Sequence, residues 1–452
     1  MKHVVRSCPS SLPTLFVLCL VMLDPGKALA VPSYARQTGL SCSACHYTPP
    51  ELNAAGRRFK LTGYVDKEPS DKGIHVEPVK AHGGLDLFSH LPLSVMFETS
   101  YSSTKTAQPD TQNGNFEFPQ DFSLFLSGAW TSHVGSFFQV TYDVQDDHFS
   151  IDNTDVRYAN KGKLGGKELV YGVTLNNNPT VEDLWNTTPA WAFPWVVSDF
   201  APTPTAAPII QGGLAGDVAG LGAYAMWNDH LYAAVAGYRT QHVGGSQPNP
   251  GTDSAYNIQG LAPYWRVAWQ QASAKTQFEI GTYGIHVAST PNAVTGPRDT
   301  YTDWAFDVQY DRSLHRRDVL SVRATYVDES STLNGTFGAG GAQQASHNLH
   351  AFTANAEYHF GNRCSITAAW FDTWGTIDPL LYAPGAVSGS ANGDPGSAGY
   401  AGNVSFWPVQ NWQLAFQYTG YTHFNGASTN YDGSGRNASG NNTVYLVARF
   451  LF

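Results

Sequence analysis

Asp303-Trp304-Ala305-Phe306-Asp307-Val308-Gln309-Tyr310-Asp311 decides how the rest of the chain is read. Trp304, Phe306, Val308 and Tyr310 fall on one side of an extended backbone, and Asp303, Asp307, Gln309 and Asp311 on the other. Strict alternation over nine residues is the period of a strand and not of a helix. The pattern recurs. Phe122, Leu124, Leu126 and Trp130 oppose Ser123, Ser127 and Thr131; Phe352, Ala354, Ala356, Tyr358 and Phe360 oppose Thr353, Asn355, Glu357 and His359; Trp412, Leu414, Phe416 and Tyr418 oppose Asn411, Gln413, Gln417 and Thr419.

Working outward, about sixteen such segments are expected: near 85–103, 118–131, 134–145, 152–160, 167–175, 211–227, 229–241, 255–271, 275–288, 300–312, 317–329, 347–360, 363–374, 398–408, 411–423 and 442–452. Composition agrees. Of 452 residues 13% are aromatic and only 14% charged, beside 44 Gly, which suits many strands joined by turns. A net charge of −10 leaves no basic surface for phosphates, so nucleic acid is not an expected partner.

In a soluble sandwich the apolar face is core; in a transmembrane barrel it meets lipid, and the polar face lines the lumen. Aromatic residues near strand ends and long Gly/Asn/Ser loops such as 386–399 and 425–442 favour the barrel. So does the last strand, Thr443-Val444-Tyr445-Leu446-Val447-Ala448-Arg449-Phe450-Leu451-Phe452, whose terminal Phe resembles the C-terminal signal of bacterial outer-membrane barrels. The expected class is therefore mainly β, a closed antiparallel barrel over 85–452, with closure removing every unpaired edge that a bilayer penalises.

The first thirty residues read as a secretory signal. Lys2, His3 and Arg6 lead, an apolar run spans Leu15 to Leu23, and Ala28-Leu29-Ala30 offers the small residues a peptidase needs, with cleavage after Ala30. Leu18 before Cys19 disfavours the competing lipoprotein reading. Losing Lys2, Arg6, Lys27 and Asp24 leaves 23 basic against 35 acidic residues, a balance of −12. Cys42, Cys45 and Cys364 then remain, too few for a disulfide framework. Cys364 reads as an inert wall residue.

Cys42-Ser43-Ala44-Cys45-His46 is C-x-x-C-H, in which two thiols add to the vinyl groups of one haem and the adjacent imidazole reaches its iron. A redox or zinc Cys pair is the alternative, disfavoured because no second Cys pair completes a zinc site. Residues 31–84 then form a small haem-bearing segment with a helix expected from Pro50 to Leu61, Glu51 in its first turn. So short a chain buries a haem poorly, so it is expected to lean on the barrel as a plug. Candidate distal ligands are His75, His82, His90 and Met96.

Residues 176–208 break the alternation. With Asn176-Asn177-Asn178-Pro179 and Trp185-Asn186-Thr187-Thr188-Pro189-Ala190-Trp191, they are too Pro-rich to pair and too aromatic to hang in water. A loop folded into the lumen is expected, with an ordinary surface loop as the alternative. Lumen acids including Glu279, Asp303, Asp307 and Glu357 are candidates for attracting cations.

The stretch Ala35-Arg36-Gln37-Thr38-Gly39-Leu40-Ser41-Cys42-Ser43-Ala44-Cys45-His46, with Pro50-Glu51-Leu52 and Gly56-Arg57-Arg58-Phe59-Lys60-Leu61-Thr62-Gly63-Tyr64, resembles the start of the fused monohaem cytochrome–porins of the outer membrane. The best known of these are ferrous-iron oxidases. The Asn-Asn-Pro-Thr and Trp-Asn-Thr-Thr-Pro-Ala-Trp segments resemble that group too. The resemblance implies one covalent haem c on Cys42 and Cys45 with His46 as proximal ligand, electron transfer from extracellular Fe(II), and a periplasmic cytochrome or copper protein as acceptor. A diffusion porin with a haem-bearing plug, or a conduit for another donor or acceptor, is the alternative.

Overall fold

The computed structural model describes residues 32–65, 79–80, 86–87, 91–144, 147–241, 257–291, 295–315 and 317–452. The signal-like segment 1–30 and the candidate ligands His75, His82 and His90 lie outside the described residues.

Sixteen antiparallel strands close into one barrel. In chain order they are β1 (Leu93–Thr104), β2 (Asp121–Leu126), β3 (Val134–Asp143), β4 (His148–Leu164), β5 (Lys167–Asn176), β6 (Val218–Trp227), β7 (Leu231–Thr240) and β8 (Ala262–Ala272). They continue as β9 (Thr276–Thr290), β10 (Asp299–Ser313), β11 (Val319–Leu333), β12 (Ser346–Phe360), β13 (Cys364–Gly375), β14 (Ser397–Val409), β15 (Trp412–His423) and β16 (Thr443–Leu451). Each pairs with its chain neighbour, and β16 closes on β1 through partners such as Ala448 and Thr99. All sixteen segments expected from alternation are present.

Three boundaries move, each for a local reason. The first barrel strand begins at Leu93 and not near 85. The segment expected at 255–271 is interrupted at Gly260, whose φ of +84° breaks the extended run between Asn257–Ile258 and β8. The segment expected from 211 starts at Val218, because the preceding residues turn inward and bury Ile209, Ile210 and Leu214.

The faces have the inverted order of a membrane barrel. On β10, Trp304 and Phe306 are more than half exposed, whereas Asp303, Asp307, Gln309 and Asp311 are buried. Leu221, Val235, Ile280, Ile366, Phe416 and Leu446 likewise project outward from their strands. A sheet that exposes its apolar side and buries its acids is stable only where lipid covers the outside.

One rim carries tight turns, such as Gly165–Gly166 between β4 and β5, residues 361–363 between β12 and β13, and residues 410–411 between β14 and β15. The other carries long connections: 105–120, 177–217, 376–396 and 424–442. In outer-membrane barrels short turns face the periplasm and long loops the outside.

Two segments occupy the lumen. Residues 33–65 lie across its short-turn end in three helical pieces: α1 (Ser33–Thr38), α2 (Cys42–Cys45) and α3 (Ala54–Leu61). The long connection 177–217 folds in from the opposite end, so that Thr180, Val181, Glu182, Asp183, Leu184 and Trp185 are buried. This is the inward loop that the Pro/Trp-rich composition predicts. Leu61 of the first filling and Leu184 and Trp185 of the second share one apolar cluster with Val170, Tyr224, Met226 and Tyr232 of the wall.

Candidate functional site

Cys42 and Cys45 sit on the single turn α2, both half-buried and not joined in a disulfide. His46 follows at once in extended conformation, and its N–H donates to the Cys42 carbonyl at 2.9 Å. The segment is pinned from behind by α3. Asn53 caps that helix, its side chain accepting from the Gly56 N–H at 3.0 Å and donating to the Ala44 carbonyl at 3.1 Å. The helix therefore begins at Ala54 and not at Pro50, and Glu51 lies ahead of it. Gly56 is required where it stands, since a Cβ there would lie 2.2 Å from the Cys45 carbonyl oxygen. Close approach of α3 to the cysteine turn thus depends on a missing side chain.

The imidazole of His46 has a defined orientation. Its Nδ1 faces the Glu51 carbonyl oxygen at 3.0 Å, so Nδ1 carries the proton and Nε2 keeps its lone pair. Burial holds the ring neutral by lowering its pKa to about 4. A second-atom hydrogen bond to a backbone carbonyl is how proteins fix a metal-binding imidazole. Burial also raises the Cys42 thiol, and it pushes Cys45 up to about 11 with the nearby Cys42 adding to the rise. The two sulfurs stand on one turn with the imidazole beside them, the donor set that a covalently attached haem uses, and among the described residues no second Cys pair joins them in the cleft to complete a zinc site.

Cys42, Ser43, His46, Tyr47 and Pro49 line an open cleft with Asn362, Trp407 and Gln410. Asn362 belongs to the β12–β13 turn and Gln410 to the β14–β15 turn, so the cleft opens at the short-turn rim. Among the described residues, its lining contains no second His or Met. Met96 sits on β1, opposite Leu451 of β16 and Ser123 of β2, and is not brought to the cleft. Cys364 opens β13, half-buried, with no role in the cleft.

The segment that carries the cysteines is fixed to the wall by buried polar contacts. Arg57 pairs with Asp311 at 3.2 Å and Glu51 with Arg323. Tyr64 donates to Asp155 at 2.6 Å, Tyr224 to the Leu61 carbonyl at 2.9 Å, and Arg157 to the Lys60 carbonyl at 3.1 Å. Gln37 holds both ends of its stretch, donating to the Tyr64 carbonyl at 3.0 Å and accepting from the Ala129 N–H at 2.8 Å.

The lumen acids singled out from the sequence do not form a free cation-attracting surface. Asp307 and Glu279 both accept from Arg266, at 2.7 and 3.1 Å, and Asp183 of the inward loop pairs with the same guanidinium at 2.5 Å. Asp303 accepts from the Ile210 N–H at 2.9 Å. An unpaired buried acid is costly; Arg266 of wall strand β8 pairs Asp307 and Glu279, and the inward loop meets Asp303 through the Ile210 N–H and Asp307 through the Thr187 hydroxyl. Glu357 differs: it lies 3.7 Å from Arg323 and has no hydrogen bond. Sequence reasoning missed Glu51, Arg323 and His359 as neighbours, since their juxtaposition comes from strands some three hundred residues downstream.

Comparison with protein families and with characterised proteins gives no match. Among solved structures, the chain is similar to OmpT, an outer membrane protein of Vibrio cholerae (9% identity, TM-score 0.43, 83% of this chain and 100% of that one). It is also similar to the outer membrane channel DcaP of Acinetobacter baumannii (12%, 0.44, 80% and 96%). A third is Salmonella typhi OmpF in complex with daunomycin (11%, 0.45, 80% and 98%). The class of this protein, a porin-like β-barrel of the outer-membrane type, rests on its own strand closure and inverted faces.

Proposed function

We propose that the protein is an outer-membrane electron-transfer protein carrying one covalent c-type haem on Cys42 and Cys45, with His46 as the proximal ligand. The observation that carries this reading is the bond from His46 Nδ1 to the Glu51 carbonyl, which leaves Nε2 free beside the cleft that Cys42 lines. A haem held there supplies one-electron chemistry. The chain's own work is positional: α2 spaces the thiols, Asn53 and Gly56 press α3 against them, and Glu51 fixes the imidazole. No general acid, base or nucleophile is called for.

The cleft opens at the short-turn rim, so a periplasmic cytochrome or copper protein is the acceptor that meets it. Resemblance makes extracellular Fe(II) the preferred donor, reaching the haem through or past the two lumen segments. The test is to oxidise the purified protein, add Fe(II) without oxygen, and follow the c-type absorption. Rapid reduction supports iron as donor; a haem that dithionite reduces and Fe(II) does not would remove iron and leave another donor or the reverse flow.

A second reading, a diffusion porin with a haem-bearing plug, is favoured by one specific feature. Residues 33–65 are held to the barrel by side-chain bonds and join no strand of its ladder, so they can leave without breaking the wall. Solute flux through the intact protein in liposomes would support it.

A further inference from the structure

Next to Tyr47, three side chains from opposite ends of the chain converge: Glu51 of the N-terminal segment, and Glu357 and His359 of β12. All three are at most 1% exposed. One ligand atom of each lies within 4.8 Å of the others.

Their hydrogen bonding is incomplete in one direction only. Glu51 gives Oε1 to Arg323, while its Oε2 has no hydrogen-bond partner. Neither oxygen of Glu357 is hydrogen-bonded, nor is His359 Nε2. Thr48 fixes the other imidazole nitrogen: its hydroxyl donates to Ser365 at 3.3 Å and so receives the proton of His359 Nδ1 at 3.2 Å. That leaves the Nε2 lone pair facing Glu51 Oε2 at 3.5 Å, acceptor against acceptor. Two carboxylates and a neutral imidazole meet one guanidinium, because the neighbouring Arg57 is taken by Asp311. A buried set of acceptors that is short of positive charge is unfavourable unless a cation joins it.

We propose that Glu51, Glu357 and His359 bind a divalent first-row transition-metal ion that ties the N-terminal segment to the barrel wall. One imidazole with two carboxylates suits such ions better than the harder Ca²⁺ or Mg²⁺, which favour all-oxygen cages. Metal–ligand bonds of about 2.0–2.2 Å put ligand atoms roughly 3.3–4.4 Å apart, so the observed cluster needs to contract only slightly. The ion enters from the short-turn rim, since His359 lies two residues before the β12–β13 turn and its ring packs on Tyr47 at 5.3 Å. Glu51 then serves twice, its carboxylate on the ion and its carbonyl on His46 Nδ1. The site does not depend on the haem reading.

The test uses the full-length protein in detergent, washed with EDTA, equilibrated with Zn(II) and freed of excess, with metal per chain measured by elemental mass spectrometry. Wild type and a Cys42→Ser/Cys45→Ser variant are expected to retain about one zinc per chain, and His359→Gln and Glu357→Gln at least about tenfold less, with the folded barrel band on unheated gels unchanged. Either variant alone decides the matter if the other fails to fold. Wild type that retains no zinc, or variants that retain it undiminished, would overturn the proposal.

Discussion

Residues 33–65 and residues 177–217 enter the same lumen from opposite ends, yet different interactions hold them. The first is fastened to the wall by polar bonds, Arg57 to Asp311, Glu51 to Arg323 and Tyr64 to Asp155, with Leu61 in the one apolar cluster it shares with the wall and the inward loop. The second combines an ion cluster around Arg266 with a true hydrophobic core, in which Ile209, Ile210 and Leu214 pack on Tyr238, Tyr264, Tyr283 and Val287. Apolar burial is non-directional and tolerant, whereas a buried ion pair holds position but contributes little net stability. The inward loop thus belongs to the core, whereas the N-terminal segment is set in place by polar contacts, with its Cys42 and His46 at the rim.

Deleting residues 33–65 is expected to have the largest effect. Because those residues join no strand of the barrel, the wall should still close, and planar-bilayer recordings should show a large gain in single-channel conductance over the intact protein. An unchanged conductance would mean that the inward loop alone seals the lumen. Next comes Arg266→Met, which strands Asp183, Glu279 and Asp307 without their common cation; a loss of about 3–5 kcal/mol is expected in the denaturant midpoint of the folded barrel.

Leu61→Ala acts where the two segments touch. It opens a cavity beside Leu184, Trp185 and Tyr232 and should cost about 2–4 kcal/mol by the same titration. The smallest effect is expected from Gln37→Ala, about 1–2 kcal/mol, since it removes one donor and one acceptor at the edge of the segment, where water can replace them. If Gln37→Ala proves costlier than Leu61→Ala, the N-terminal segment depends on its edge and not on its meeting with the inward loop.

Much of the fold was legible because side-chain alternation is a local signal. Asp303 to Asp311 states both faces of β10 within nine residues, and the same holds for β12 and β15. The inward loop was legible for the complementary reason, that Pro excludes it from the ladder and Trp from water. Cys42, Cys45 and His46 lie within five residues, so their nearness to one another is already in the sequence. Their surroundings are not. Glu51 looked like a first-turn helix residue, but Asn53 caps the helix later and frees Glu51 to face both His46 and β12. Whether Glu357 or Asp307 finds a partner depends on which filling lies opposite, a fact of packing that no spacing along the chain records.

Cys42, Cys45 and His46 are proposed to hold a haem at the short-turn mouth of the barrel. The most direct measurement is the mass of the proteolytic peptide containing Cys42 and Cys45, taken from protein purified out of the outer membrane of a host competent for c-type attachment. One haem added to that peptide, with the characteristic c-type absorption of the intact protein, is the predicted result. The same peptide recovered unmodified from a correctly folded barrel would contradict the account.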